Sequence, residues 1–340
     1  MATSTKEPAR ANGDGPRGVL DRVLVLEVAR VTESAAIASA RWRGRGENKS
    51  ADKAAVDAMR RELSRVNIRG RVVIGEGEMD EAPMLYIGEE VGTGQGPRVD
   101  IAVDPLEGTT ICAKAMPDAL AVLAIAEEGG LLHAPDMYMD KIAIGPGYKD
   151  GLIDLDASPA DNLAWLAKAK GVSVSDLTAC ILDRPRHAEL IAAVRKAGAG
   201  VKLIPDGDIA GVIWAADPAK TGVDIYFGLG GAPEGVLAAA ALKCTGGQMQ
   251  GRLAPSGAEE TKRALSMGIT DIRRKYAIKD MASGDVIFSA SGVTDGSLLD
   301  GVHFRGDFAE TETVVMRSAT GTVRRIKTTF RMIGGKKGGL

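Results

Sequence analysis

The densest chemistry in the chain is carried by Asp104, Glu107 and Thr109, within Val99-Asp-Ile-Ala-Val-Asp-Pro-Leu-Glu-Gly-Thr-Thr110. A short apolar run, the pattern of a buried strand, ends in two carboxylates three residues apart, followed by a glycine and two threonines. Pro105 fixes φ between the acids and gives up an N–H, while Gly108 lets backbone approach whatever sits at the strand end. Hard carboxylate oxygens beside backbone N–H groups and a hydroxyl suit a divalent cation and a phosphate together. The expectation is metal-assisted phosphoryl chemistry with Asp104 and Glu107 as ligands. Alone, the hexapeptide is also compatible with a strand-to-helix turn closed by a capping threonine, so the rest of the chain must decide.

Further polar groups fall at the ends of other apolar segments. Asp52 lies in the first turn of a helix expected to begin near Glu47, with Ser50 as its cap. The β-branched run from Arg71 ends in Gly75-Glu-Gly-Glu78, a flexible turn able to aim Glu76 or Glu78 inward; with Asp80 and Glu81 it reads equally as a solvated acidic loop. A strand over 177–182 leads into Asp183-Arg-Pro-Arg-His187, where two arginines and a histidine at a helix start form an anion cradle or a set of surface salt bridges. A strand over 201–204 meets Asp206-Gly-Asp208, and one over 224–229 meets Gly230-Gly-Ala-Pro-Glu-Gly235, which puts Glu234 in a helix first turn behind Pro233. With three histidines and no His-x-x-x-His, a histidine zinc site is not expected, and no dinucleotide or P-loop fingerprint occurs.

Around these motifs the pattern is of helices alternating with strands: helices over 21–43, from 47, and over 161–170, 188–197, 209–215 and 236–243, and strands over 120–126 and 136–144 besides those above, with Tyr138 at the start of the last. Strand-like stretches run over 281–294 and 302–317, and 321–332 closes the fold. This implies an α/β protein of stacked layers with polar groups gathered at strand ends. Residues 1–19 read as a disordered tail, 20–175 and 176–332 as two stacked α/β subdomains, and 333–340 as a flexible tail. Hydrophobic residues are 45% of the 340 and charged residues 26%, ordinary for a globular protein with an ample core. Lys and Arg number 43 against 45 Asp and Glu, a balance that argues against nucleic acid or an acidic membrane as partner. Three isolated cysteines suit a reducing compartment, and no apolar run approaches a membrane span, so the cytoplasm is the expected location.

Taken in order, the Asp52 helix, Ile-Gly-Glu-Gly-Glu (74–78), Asp-Pro-Leu-Glu-Gly-Thr (104–109) and Gly-Gly-Ala-Pro-Glu-Gly (230–235) resemble the class II fructose-1,6-bisphosphatases of the lithium-sensitive sugar-phosphatase superfamily. Asp-Arg-Pro-Arg-His (183–187) and Pro-Asp-Gly-Asp (205–208) resemble that family's substrate-binding segments. Asp-Pro-x-(Asp/Glu)-Gly-Thr alone marks the superfamily; inositol monophosphatases carry Asp at the place of Glu107 and a Trp-Asp motif in place of Gly-Ala-Pro-Glu-Gly. The resemblance implies a layered αβαβα fold and Mn²⁺ or Mg²⁺ held by Asp52, Glu76, Asp104, Glu107 and Glu234. It implies sugar-bisphosphate contacts from Glu107, Gly108, Thr109, Tyr138, Arg184, Pro185, Arg186, Asp206, Gly207, Asp208 and Gly231. Thr109 and Glu76 are its catalytic residues, Thr109 by orienting the attacking water. The implied reaction removes the 1-phosphate of fructose 1,6-bisphosphate. A dual enzyme that also takes sedoheptulose 1,7-bisphosphate, an inositol or nucleotide phosphatase, and a silent sugar-phosphate sensor are the alternatives, and a homo-oligomer, dimer or tetramer, is expected.

Overall fold

A computed structural model describes residues 20–77 and 84–332. The tails expected at 1–19 and 333–340, and the candidate Glu78 with Asp80 and Glu81, lie outside the described residues. In chain order the strands are β1 (Arg69–Ile74), β2 (Glu90–Val91), β3 (Arg98–Glu107), β4 (Leu120–Glu127), β5 (Tyr138–Ile144), β6 (Thr178–Leu182) and β7 (Gly200–Ile204), followed by β8 (Ile225–Gly231), β9 (Gln248–Leu253), β10 (Tyr276–Ala277), β11 (Val286–Gly292), β12 (His303–Arg305), β13 (Phe308–Arg317) and β14 (Thr322–Arg331). The helices are α1 (Leu24–Ala40), α2 (Asn48–Leu63), α3 (Thr109–Ala113), α4 (Pro159–Lys170), α5 (Ala188–Ala197), α6 (Asp208–Trp214), α7 (Pro218–Thr221), α8 (Ala232–Thr245), α9 (Ala258–Ser266) and α10 (Ile278–Met281).

The strands form two sheets, one running β12-β13-β11-β4-β3-β1-β2 with β14 on β13, the other β10-β9-β5-β8-β6-β7. Helices α1 and α2 cover the outer face of the first sheet, α8 with α6 and α10 fills the space between the sheets, and α4 and α5 cover the far face of the second. The layers are therefore α, β, α, β, α. β4 shows why: Val122, Ala124 and Ala126 point into the central core and Ala121, Leu123 and Ile125 into the outer one, so its unbroken apolar run is buried on both faces. α8 is apolar on all sides because it has no solvent face, and its run Ala238-Ala-Ala-Ala241 keeps it thin enough to fit between two sheets. On the outer side a chain of buried hydroxyls ties α1 to the sheet: Thr32 Oγ1 lies 2.9 Å from Ser289 Oγ, and Ser291 Oγ donates to Thr32 Oγ1 at 2.8 Å.

The chain does not divide near residue 175. β5 already belongs to the second sheet, and β11 to β14 return to the first as an antiparallel run without intervening helices. Burial decides this, because the strands after residue 285 complete the apolar surface under α1 and α8. Two local expectations also change. α2 starts at Asn48 behind Glu47, so Ser50 lies inside the helix and does not cap it, and Asp52 falls in the second turn.

Candidate active site

β1 and β3 run parallel as far as Ile74 and Ala102, and both then leave the ladder. Pro105 lacks the N–H that regular pairing requires, and between Asp104 and Glu107 the register with β4 shifts, a bulge that turns both acids toward the gap between the sheets. Gly108 follows with φ +81°, the left-handed conformation that lets the strand end and α3 begin at Thr109. At the end of β1, Gly75 has no room for a side chain: a Cβ there would lie 1.9 Å from the Leu85 carbonyl oxygen. The Glu76 N–H donates to that same carbonyl at 2.9 Å, which fixes the turn that carries Glu76.

These ends open on one cleft of about 390 Å³, within the usual range for small-ligand sites. Asp52, Glu76, Asp104, Glu107, Asp206 and Glu234 line it, as do Gly108 and Thr109. Carboxylate oxygens of Asp104, Glu107 and Glu234 all lie within 4.8 Å of one another. Glu107 also joins the two halves of the site, since its Oε1 accepts the N–H of Ile209 in α6 at 3.2 Å.

So many acids in one buried place do not ionise freely. Burial pushes the Glu76 carboxyl up to about 8, and the charges of Asp52 and Asp104 push in the same direction. Asp104, Glu107 and Glu234 are also raised, chiefly by burial, Glu107 with help from the neighbouring Asp104. Burial raises Asp52 and Asp206 too, the latter against the pull of Arg184. Glu234 Oε2 is buried without a hydrogen-bond partner among the described residues. Unpaired carboxylate oxygens in such a place are costly unless a cation meets them, and three hard oxygen donors at this spacing fit Mg²⁺ or Mn²⁺.

The remaining sequence candidates lie behind or beside this wall. Arg184 is 3.6 Å from Asp206, so it touches the cleft through that acid. Arg186 donates to the Leu229 carbonyl at 2.8 Å and lies over the Tyr138 ring at 4.7 Å. Tyr138 is 43% exposed, and neither it, Arg184, Pro185 nor Arg186 lines the cleft. His187 does not face an anion at all: it is buried, its Nδ1 is 2.8 Å from the Leu182 carbonyl, and its Nε2 accepts the Leu229 N–H at 2.8 Å. Those two contacts assign a neutral ring that braces β6 against β8, and burial together with Arg186 and Arg184 disfavours its protonation. Gly207, φ +84°, makes the turn into α6 behind the cleft wall. Asp208 also sits behind that wall, buried and ion-paired with Lys141. Gly231 likewise does not line the cleft; a Cβ on it would lie 1.8 Å from Glu234 Oε2.

Three cleft or near-cleft residues escaped the sequence reading. Asp136 lines the cleft from the segment before β5, and Arg263 lines it from α9, the one cationic lining residue among the described residues. Nothing in Lys262-Arg-Ala264 distinguishes that arginine from a solvated helix face. Lys141 did leave a signal, a lysine within the apolar alternation of Met139-Asp-Lys-Ile-Ala-Ile144.

Residues 22–330 match the family of bacterial fructose-1,6-bisphosphatases encoded by glpX. Over 320 residues the chain is 49% identical to fructose-1,6-bisphosphatase 1 class 2 of Escherichia coli K12, the match covering 90% of this chain and 94% of the relative. The class 2 fructose-1,6-bisphosphatase of Shigella flexneri matches to the same extent, 49% over 320 residues.

Proposed function

The chain belongs to the bacterial glpX-encoded fructose-1,6-bisphosphatases, and we infer that the acidic cleft between its two sheets is where the phosphate ester is cleaved. The protein is a phosphoric monoester hydrolase that acts on fructose 1,6-bisphosphate and depends on a divalent metal. The observation that carries the site assignment is the meeting of Asp104 and Glu107 from β3 with Glu234 from the first turn of α8, within 4.8 Å.

In this reading Asp104, Glu107 and Glu234 hold Mn²⁺ or Mg²⁺, with Asp52 and Glu76 completing the ligand set from the same wall. When bound, the cation supplies positive charge to the phosphoryl and leaving oxygens, a term of several kcal/mol in phosphate-ester hydrolysis. Thr109, one residue past Gly108, holds the attacking water by its hydroxyl. Glu76, on the same cleft wall, takes the proton that water gives up. The first-turn N–H groups of α3 and the guanidinium of Arg263 face the phosphoryl oxygens. Arg184 and Arg186, the latter stacked over Tyr138, take the remote 6-phosphate, so that binding energy distant from the reaction fixes the position of the ester. Gly207, Asp208 and Gly231 shape the floor beneath the sugar. No helix among the described residues is long and apolar enough to cross a membrane. A cytoplasmic homo-oligomer completes the reading, supported by apolar side chains left exposed on α1 (Val23 just before it, and Leu26) and on β12 to β14 (Phe304, Phe308, Val323).

The test is phosphate release from fructose 1,6-bisphosphate by protein stripped with EDTA and then given Mn²⁺ or Mg²⁺, with sedoheptulose 1,7-bisphosphate, inositol 1-phosphate and a nucleotide 3′-phosphate in parallel. Metal-restored release from the six-carbon bisphosphate, with little from the two monophosphates, is the expected result. Binding of the bisphosphate without release under any metal would leave a sensor and overturn the reading.

A further inference from the structure

Lys141 is 1% exposed, in the middle of β5, where a lysine ordinarily has no place. Its side chain is accommodated because its neighbours are glycines. Gly228 of β8 and Gly251 of β9 are its cross-strand partners, and a Cβ on Gly235 would lie 3.3 Å from Lys141 Cδ. At the end of this passage the ammonium pairs with Asp208 at the start of α6 and donates to the Gly231 carbonyl at 2.7 Å. Gly230 leaves the room for that junction: a Cβ there would stand 2.0 Å from Asp208 Oδ2 and 3.0 Å from Lys141 Nζ. The glycines of Gly230-Gly-Ala-Pro-Glu-Gly235 thus make space for one buried assembly of Lys141, Asp208 and Glu234.

We propose that Lys141 is a positioning residue for the acidic cluster: by bridging Asp208 to the Gly231 carbonyl it fixes the turn between β8 and α8 from which Glu234 reaches Asp104 and Glu107. The turn has no side-chain cap at Gly231, and Pro233 in the first turn of α8 has no N–H to anchor it. The Ala232 N–H holds the helix start to the Met137 carbonyl at 2.8 Å, and the lysine adds a second tie through the Gly231 carbonyl. It also ties α6 to β8, and α6 in turn holds Glu107 through the Ile209 N–H, so two of the three clustered acids depend on one ammonium. Groups that orient metal ligands in this way commonly carry 10–100-fold of metal affinity. The inference rests on the reading of the cluster as a cation site.

The test compares metal-free wild-type protein, Lys141→Met, and Lys141→Met/Asp208→Asn. Each is titrated with Mn²⁺, free ion being followed by its EPR signal, beside thermal melts and phosphate release at saturating Mn²⁺. The single variant leaves Asp208 buried and unpaired and is strongly destabilised. The double variant removes both charges at similar volume, so the net charge around the cluster is that of the wild type and only the tie is lost. Its expected Mn²⁺ dissociation constant is about 10–100-fold higher, with a near-native melting temperature. A folded double variant that binds Mn²⁺ as tightly as wild type overturns the proposal. So does one that fails to fold, since the pair is then a requirement of folding and not of positioning. Wild-type protein that neither binds Mn²⁺ nor releases phosphate defeats the underlying site reading instead.

Discussion

Glu76 offers a way to separate what the fold tolerates from what the chemistry needs. In the metal-free protein its carboxyl is raised from 4.5 to about 8, first by burial and then by the charges of Asp52 and Asp104. Below about pH 4.5 the group is protonated folded and unfolded, and it has no effect on stability. As pH rises from there toward 8, the unfolded chain releases its proton and the folded one keeps it, so stability is lost. At 1.36 kcal/mol per pKa unit the loss reaches about 5 kcal/mol by pH 8 and above. Spread over the unfolding entropy of a chain of this length, that corresponds to about 7 °C in melting temperature. Glu76→Gln removes the ionisable group at nearly constant volume. In EDTA the variant is therefore expected to match wild type near pH 5 and to melt several degrees above it near pH 8.5. With Mn²⁺ present the gap at pH 8.5 narrows, because wild type gains about 2.7 kcal/mol at a free ion concentration one hundred times its dissociation constant and the variant gains less. The assay is a series of melts between pH 5 and 8.5, in EDTA and in Mn²⁺. Parallel wild-type and variant curves in EDTA would refute the reasoning, since they would show that Glu76 ionises as readily in the folded protein as outside it.

Glu107→Gln keeps an oxygen to accept the Ile209 N–H, so it is expected to fold and yet lose turnover by at least about a thousandfold. Arg186→Ala, remote from the cluster, is expected to raise KM for the bisphosphate with a smaller change in kcat; equal, mild effects from these two would contradict the assignments, and steady-state kinetics distinguishes them. Gly231→Ala would drive a methyl group to 1.8 Å from Glu234 Oε2. It is expected to displace that carboxylate and weaken Mn²⁺ binding by about tenfold or more, which calorimetric titration of the folded variant measures.

The elements and most of the cleft were legible in the sequence because both depend on local pattern. An unbroken apolar run such as that over 120–126 specifies a strand with no solvent face, and Gly108 after Glu107 marks a strand ending in a left-handed turn. Polar groups concentrated at strand ends pointed to Glu76, Asp104, Glu107, Thr109 and Glu234, and the family resemblance added Asp52; all six line one cleft. What no local pattern contained was which distant segments would share a layer. β11 to β14 return to the first sheet because only there is their apolar face buried, a consequence of the whole chain's surface and of no single stretch. The same holds for individual side chains. His187 stands in a run that suits anion binding, but the approach of β8 turned it into a brace. Asp208 stands in a run that suits a sugar contact, and only the fold shows that β5 brings Lys141 against it. Arg263 is an ordinary helix cation until α9 is laid along the cleft. Residue type and spacing determine what chemistry is available; desolvation and the partner across the fold, which exist only after the layers have stacked, decide which groups perform it.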